Sequence, residues 1–370
     1  MCETLASPLN YGGIILKNRV VFAPTTLGLP GDEQIQRLRD IASGGCAMII
    51  VGDVPVLPHG FGMSLYSKKG FSWYRTLADV VHAQGCKLCA QLHQSDSNMK
   101  AMIKYIPAVL AGHISQEQMR GLLNQQVGTY VTGMPERKVQ KITDAFGTAA
   151  KLALQAGFDM VQVHGDRMCG SFSSELFNKR ADCYGGSAEN RALFAVQAVS
   201  SIRKCLPDVP IDFKLAVRQG SPHYGNAGVL EEELPVFVPL LESAGVTSFH
   251  VTLANHGRLE DTIPSANHPE FSVEGCFLKF CDQVKKLTKL PICGVGGLTD
   301  PQFAEEQIQA GRIDCIAMSR QLIADPMWPR KVFQGREKEI YRCIRCNKQC
   351  LGGLLAHKGV HCIYERKKIL

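Results

Sequence analysis

The chain of 370 residues lacks any run that approaches the roughly 18 apolar residues needed to cross a bilayer. Its first residues, MCETLASPLNYGG, also lack the basic segment and apolar core that mark an export signal. Charge is not concentrated either, because 41 basic and 34 acidic residues give a formal net charge of only +7. These absences argue against a membrane protein and against a nucleic-acid-binding protein, and they predict a cytoplasmic location.

The sequence lacks internal repeats, and the first strand–helix turn carries no dinucleotide-binding glycine fingerprint. Eight short apolar runs alternate instead with helical patterns. The predicted strands are 19–23, 46–51, 86–92, 158–164, 210–217, 247–253, 291–295 and 313–318. Eight such units in sequence predict an α/β fold, a (β/α)8 TIM barrel, in which catalytic groups lie at the carboxyl ends of the strands.

Cysteine is abundant, and fifteen cysteines without an export signal argue for reduced thiols rather than a disulfide framework. Four of them have the spacing C-x2-C-x3-C-x11-C, and they are Cys343, Cys346, Cys350 and Cys362. Four thiolates suit either a [4Fe–4S] cluster or a zinc ion, and the spacing alone leaves both open. We therefore predict a barrel over residues 1–335 and a cluster-binding C-terminal extension over 336–370.

The strand at 158–164 runs into a polar loop that ends in NKRADCYGGSAENR at residues 178–191. This segment resembles the N-x-R-x-D-x-YGGS-x-ENR signature of the old yellow enzyme family of FMN reductases. The resemblance implies that the shared residues hold the loop beneath the active site. They include Arg180, Asp182, Tyr184, Asn190 and Arg191.

Other strand ends are similar to flavin-binding segments of the same family, and the resemblance implies an FMN site. Contacts to the ring system are implied for Pro24, Thr25, Thr26, Gly52, Gln91 and Arg218, and contacts to the phosphate for Gly296, Gly297, Ser319 and Arg320. Gln91 would meet the pyrimidine edge, and the cation of Arg218 would stabilise the anionic reduced flavin. The alternatives are that Thr26 only caps a turn and that Arg218 forms a surface salt bridge.

Residues 95–137 form a long insertion without clear periodicity, which predicts a functional loop over the substrate at the barrel mouth. At the end of the fourth strand, the sequence HGDR at 164–167 stands where most of the related 2,4-dienoyl-CoA reductase branch has HGAHGY. His164 and Arg167 are expected to polarise a carbonyl or lactam oxygen while hydride passes from FMN N5 to carbon. Asp166 would supply the proton if burial kept it protonated, and the alternative is that Asp166 and Arg167 only pair with each other.

The HGDR sequence resembles the branch of the family that reduces bilirubin in anaerobic gut bacteria, which implies a linear tetrapyrrole as substrate. Two other hypotheses stay open: reduction of an enoate, enoyl-CoA or steroid enone, and a flavin electron-transfer subunit without its own substrate. Relatives in this family often form homo-oligomers, which is the expectation here.

The cysteine spacing beside a barrel resembles the 2,4-dienoyl-CoA reductase branch, which carries a [4Fe–4S] cluster, and this resemblance favours iron–sulfur over zinc. That branch continues into flavin- and NAD(P)H-binding domains where this chain ends at Leu370. A separate reduced flavoprotein, similar to flavodoxin, is therefore expected to load the cluster. Direct reduction of FMN by NAD(P)H is the alternative.

Overall fold

A closed ring of parallel strands forms the centre of the computed structural model, which describes residues 2–58, 63–97 and 99–365. The strands are β1 (Leu9–Tyr11), β2 (Ile14–Leu16), β3 (Val20–Phe22), β4 (Met48–Pro55), β5 (Lys87–His93), β6 (Met160–His164), β7 (Ile211–Arg218), β8 (Val229–Leu230), β9 (Ser248–Leu253), β10 (Ile292–Gly294) and β11 (Cys315–Met318). Strands β3, β4, β5, β6, β7, β9, β10 and β11 pair in parallel in that order, and β11 pairs with β3. Each corresponds to a predicted strand, so the TIM-barrel prediction is confirmed.

Helices follow most of the barrel strands and pack around them. They are α1 (Glu3–Ala6), α2 (Gly31–Ser43), α3 (Lys68–His82), α4 (Met99–Leu110), α5 (Gln116–Gln125), α6 (Val127–Thr132), α7 (Glu136–Gln155), α8 (Arg167–Ser173), α9 (Ala188–Cys205), α10 (Leu234–Ala244), α11 (Leu259–Thr262), α12 (Leu278–Lys285), α13 (Pro301–Gln309), α14 (Arg320–Ala324), α15 (Trp328–Phe333) and α16 (Leu351–Leu355). Within the described ranges, no helix is both long enough and apolar enough to cross a membrane. The last residues of the predicted extension, 366–370, lie outside the described residues.

Two apolar layers hold the barrel together. The larger layer lies between the strands and the surrounding helices, and every residue of β9, for example, is buried. The smaller layer fills the barrel interior with mostly small side chains, among them Cys89, Cys293 and Cys315. Burial raises the pKa of the Cys89 and Cys293 thiols well above the ordinary value, so these cysteines stay protonated and act as small apolar residues.

An antiparallel hairpin of β1 and β2 closes the amino-terminal end of the barrel. Tyr11 is fully buried, and its hydroxyl donates to Asp212 Oδ1 at 2.7 Å inside the barrel. A Cβ on Gly12, which has φ +65°, would lie 2.6 Å from Thr247 Oγ1, so only glycine lets the hairpin approach the barrel this closely. Sequence analysis did not predict this hairpin, because each of its strands is only three residues long.

The insertion at 95–137 is mostly helical and contains α4, α5 and α6, so the prediction of an irregular loop is wrong. Leu123, Val127 and Val131 are buried at four-residue intervals, which is the helical period that the prediction overlooked. The same segment lies against a residue far along the chain, since a Cβ on Gly128 in α6 would lie 3.4 Å from the Phe177 carbonyl oxygen.

The loop after β6 is held by side chains that donate to backbone carbonyls, as the signature segment implies. Arg180 donates to the carbonyl oxygens of Val131, at 2.9 Å, and Met134, at 2.6 Å, and it pairs with Asp182. Arg191 likewise donates to the Ser173 carbonyl oxygen at 2.9 Å. The structural role expected for this loop is therefore confirmed, and Arg180 also fastens the insertion to the barrel.

Replacing Arg180 with alanine is expected to lower the free energy of unfolding by about 2–4 kcal/mol, because buried carbonyls and the Asp182 carboxylate lose their donor. Chemical denaturation followed by circular dichroism measures the change. The control is Lys179→Ala, since Lys179 is the exposed neighbour and should change stability by less than about 0.5 kcal/mol. Equal effects of the two substitutions would contradict the anchoring role.

Candidate active site

A cavity of about 460 Å³ opens at the carboxyl ends of the barrel strands, where TIM barrels carry their catalytic groups. Every predicted catalytic or flavin-binding residue except Arg218 lines it. These residues are Pro24, Thr25, Thr26, Gly52, Gln91, His164, Asp166, Arg167, Gly296, Gly297, Ser319 and Arg320. None of the described residues of the insertion 95–137 lines this cavity.

Two strand ends form close, side-chain-free walls of the cavity. A Cβ on Gly52 would lie 2.8 Å from Gln91 Oε1 and 3.2 Å from Pro24 Cβ, so a larger residue would displace its neighbours. Gly296 and Gly297 have φ of +111° and +72°, which side-chain-bearing residues rarely adopt. Such walls leave room for a planar ring system next to the backbone, and they fit the predicted flavin.

The end of β11 offers the groups predicted to hold a phosphate. Thr25 Oγ1 donates to Ser319 Oγ at 2.8 Å and joins the turn after β3 to this strand end. The Arg320 guanidinium donates to Asn347 Oδ1 at 2.7 Å, so it also holds the extension. Arg345, which sequence analysis missed, lines the cavity, and its Nη1 would lie 3.3 Å from a Cβ on Gly297. This arrangement gives the predicted phosphate region two cations.

The structure does not place Arg218 at the cavity. Its side chain is buried and pairs with Glu175, which agrees with the salt-bridge alternative except that this arginine lies beneath the surface. Lys214, four residues earlier in β7, lines the cavity instead. Burial lowers the pKa of Lys214, and Asp166 and Asp53 act in the opposite direction. The sequence signal that could have identified Lys214 is a lysine inside the otherwise apolar run FKLAV.

His164 and its neighbours form the catalytic side of the cavity. The backbone N–H of Asp166 donates to His164 Nδ1 at 3.3 Å, and burial, followed by the charge of Lys214, holds the pKa of His164 well below its ordinary value. The imidazole is therefore neutral, and because Nδ1 accepts, Nε2 carries the proton. Nε2 lies 3.9 Å from Asp53 Oδ1. His164 can thus donate a hydrogen bond to a carbonyl oxygen.

Asp166 and Arg167 both line the cavity, and the structure shows no ion pair between these two described side chains. Asp166 Oδ1 is buried and has no hydrogen-bond partner among the described residues. Arg167 has φ +49°, a left-handed conformation that costs a non-glycine residue free energy. The alternative in which these two residues only neutralise each other is therefore not what the structure shows.

A buried pair behind Arg167 joins three segments around the mouth. Asp96 Oδ2 accepts hydrogen bonds from His256 Nε2 and Ser171 Oγ, each at 2.6 Å. Although burial opposes the shift, the hydrogen bond from His256 lowers the pKa of Asp96 to about 2, and the nearby charge of Arg167 acts in the same direction. The start of the insertion, α8 and the loop after β9 are thus held together by one carboxylate.

The four predicted cysteine ligands line a second, small cavity together with Arg320, Ile323 and Asn347. Cys343 and Cys350 also line the large cavity, so the two cavities adjoin. In the part of the chain that the structure describes, no three His, Cys, Asp or Glu side chains form a ligand set for one metal ion. The four thiols predicted as ligands of a cluster or a zinc ion therefore line one cavity.

Comparison with known proteins gives one family and close relatives. The NADH:flavin oxidoreductase / NADH oxidase family matches residues 4–339. A bilirubin reductase of Clostridium symbiosum (strain WAL-14163) is 58% identical over 369 residues, which cover 100% of this chain and 99% of that protein. A bilirubin reductase of Mediterraneibacter gnavus (strain CC55_001C) is 35% identical over 97% of this chain and 56% of its own length, so the chain spans about half of that relative.

Solved structures share the fold at lower identity. A 2-naphthoyl-CoA reductase in complex with 2-naphthoyl-CoA has a TM-score of 0.79 and 24% identity, and the match covers 98% of this chain and 57% of that one. Morphinone reductase in complex with tetrahydroNAD has a TM-score of 0.63 and 20% identity, with 90% and 91% covered. At these identities the likeness shows the fold alone.

Replacing Lys214 with glutamine is expected to lower the reduction potential of the bound flavin by about 30 mV or more, which corresponds to about 1.4 kcal/mol for a two-electron couple. The reason is that the anionic reduced flavin loses a neighbouring cation. Anaerobic redox titration of the holoenzyme measures the potential. Arg218→Gln is the matched control and should leave the potential unchanged. If Arg218→Gln lowered the potential and Lys214→Gln did not, Arg218 would be the cation that stabilises the reduced flavin.

Proposed function

Because the chain belongs to the NADH:flavin oxidoreductase / NADH oxidase family, we propose that this FMN oxidoreductase reduces conjugated C=C bonds of a linear tetrapyrrole, with bilirubin as its substrate. The observation that supports the substrate most is the 58% identity to a bilirubin reductase over the full length of both chains. The cavity at the barrel mouth agrees with it, because Asp166 and Arg167 both reach that cavity.

Each reduced C=C bond takes up one hydride and one proton. The walls formed by Gly52 and Gly296 would hold reduced FMN, which would supply the hydride. His164 donates from Nε2 and Arg167 from its guanidinium to a lactam oxygen, which draws electron density from the conjugated bond. Asp166 lies beside them and delivers the proton to the neighbouring carbon. The unpartnered Oδ1 of Asp166 is the oxygen that is available for this task.

The substrate extends beyond the cavity in this proposal, since 460 Å³ does not hold both a flavin and a whole tetrapyrrole. The insertion follows the carboxyl end of β5 and therefore lies at the same end of the barrel as the mouth. Its helix α4 exposes Ile103, Ile106 and Leu110 along one stripe. We assign the outer pyrrole rings to this stripe, which retains a substrate-covering role for residues 95–137.

The extension over 336–370 is proposed to carry a [4Fe–4S] cluster on Cys343, Cys346, Cys350 and Cys362. Its cavity adjoins the flavin cavity, so single electrons have a short path between the two cofactors. Ile344 is exposed beside the cysteines, exposed Lys348 lies four residues further on, and exposed Arg342 pairs with Asp300 at 2.7 Å. An apolar centre beside Lys348 suits an acidic electron donor such as a reduced flavoprotein similar to flavodoxin, whereas NAD(P)H would reduce FMN at the mouth.

Replacing Asp166 with asparagine or Arg167 with methionine is expected to slow bilirubin reduction by about 100-fold or more, because proton delivery or carbonyl polarisation is lost. FMN content and reduction by a strong chemical reductant should not change. The measurement is anaerobic mixing of reduced holoenzyme with bilirubin, followed at the flavin and pigment absorbances.

The control variant is Arg75→Met, on an exposed position of α3, which should keep the wild-type rate. An electron-carrier subunit would not depend on Asp166 or Arg167. If reduced wild-type enzyme leaves bilirubin unchanged but is reoxidised by a simple enone, the substrate assignment is wrong while the family assignment stands.

Replacing Cys346 with serine is expected to remove the cluster, because Cys346 is one of its four proposed ligands. Cys346 lines the small cavity but not the flavin cavity, so the substitution does not alter the flavin cavity. Anaerobically prepared wild-type protein should contain about four iron and four acid-labile sulfide per chain, and the variant far less. Cys183→Ser is the control, since Cys183 is exposed on the signature loop. Zinc without sulfide in the wild type would overturn the cluster assignment.

A further inference from the structure

A row of buried polar groups crosses the barrel from its closed end to the flavin cavity. The hydroxyls of Tyr11 and Ser248 each donate to Asp212 Oδ1 at 2.7 Å, and Gln162 Nε2 donates to Asp212 Oδ2. Gln91 Nε2 in turn donates to Gln162 Oε1 at 2.6 Å. All five side chains are buried, and Gln91 is the member that lines the cavity.

The carboxylate of Asp212 sets the direction of every hydrogen bond in this row. An ionised carboxylate only accepts, so Gln162 must turn its NH2 group toward Asp212 and its carbonyl oxygen toward Gln91. Gln91 must then donate through its own NH2 group, which leaves Gln91 Oε1 near Gly52 at the cavity. No described residue donates a hydrogen bond to this oxygen.

His250 supports the same direction from the other side of the Gln162 amide. Burial, followed by the charge of Lys214, lowers the pKa of His250 to about 3, so the ring is neutral. Its Nδ1 lies 3.4 Å from Gln162 Nε2 and accepts, while Nε2 carries the proton. Burial raises the pKa of Asp212 to about 6, and the hydrogen bonds from Gln162, Ser248 and Tyr11 oppose it, so the carboxyl is largely ionised at neutral pH.

We propose that Asp212 is a positioning residue for the flavin: through Gln162 it fixes the amide of Gln91 so that the cavity presents a hydrogen-bond acceptor rather than a donor. The inference rests on the proposed use of FMN. The oxidised flavin ring carries a single N–H donor, the imide N3–H on its pyrimidine edge. The fixed acceptor of Gln91 is complementary to that donor. An amide free to turn would have to be oriented when the flavin binds, which costs binding free energy.

The Asp212→Asn variant tests the proposal because it reverses the row without changing its shape. When the Tyr11 and Ser248 hydroxyls keep donating to residue 212, the asparagine turns its NH2 group toward Gln162, which then flips and makes Gln91 flip as well. The cavity then presents an NH2 group to N3–H. We expect FMN to bind about tenfold to a hundredfold more weakly, as for a buried donor left without an acceptor.

Dissociation of FMN from the holoenzyme on dilution, followed by the rise in flavin fluorescence, measures this change without reference to catalysis. The Asp212→Asn/Gln162→Glu double variant provides the rescue, because the carboxylate introduced in place of Gln162 accepts from both neighbours and turns Gln91 Oε1 back to the cavity. It should restore FMN affinity to within about threefold of wild type. Cys89→Ala, a substitution in the barrel interior that breaks none of the described hydrogen bonds of this row, is the control and should bind FMN like the wild type.

The outcomes separate the two proposals. If the Asp212→Asn variant binds FMN with wild-type affinity, the positioning role is wrong. It is also wrong if the double variant binds FMN no more tightly than Asp212→Asn does, or does not bind FMN. The double variant keeps a buried carboxylate, so it tests the direction of the row even if Asp212→Asn folds poorly. A wild-type chain that binds no FMN would instead overturn the proposed function.

Discussion

The hydrogen bonds between β11 and β3 turn an open parallel sheet into a barrel, and the site depends on them. Ile316 lies opposite Val20 and Met318 opposite Phe22, which brings the last strand end beside the first. Thr25 then meets Ser319 across 294 residues of sequence. Closure also gives the strand ends a common centre, so glycines, histidines and cations from several strands enclose one cavity. The cysteine extension follows β11 after the two short helices α14 and α15, and Arg320 at the start of α14 contacts it.

The strand ends could be predicted from the sequence because a buried parallel strand is an apolar run that stops at its first polar or glycine residues. Gly52, Gln91 and His164 were found this way, and all three line the cavity. Lys214 and Arg218 lie in the same strand with the same alternation, so the pattern did not distinguish them. Their difference depends on depth along β7 and on the distant Glu175, which only the closed barrel supplies. Arg345 was missed for the same reason, since its place follows from how the extension folds back.

The structure of the insertion at 95–137 could not be predicted from the sequence. The helical period of Leu123, Val127 and Val131 was overlooked there, and α4 leaves three apolar residues exposed. What orders the segment is a set of contacts with residues about fifty positions away, above all the arginine whose guanidinium reaches the end of α6. The extension is likewise tied to the barrel by Arg320 and by Gln321, whose side chain accepts from the Cys343 backbone N–H at 2.9 Å. These contacts hold the segment after residue 335 against the barrel.

The hairpin that carries Tyr11 has a consequence for how water travels. The Tyr11 side chain fills the amino-terminal end of the barrel, and the small side chains above it are buried. In the part of the chain that the structure describes, solvent therefore reaches the reaction chamber through its mouth, the same entrance through which a substrate arrives. A substrate bound in that entrance would therefore also shut out bulk water for as long as it stays.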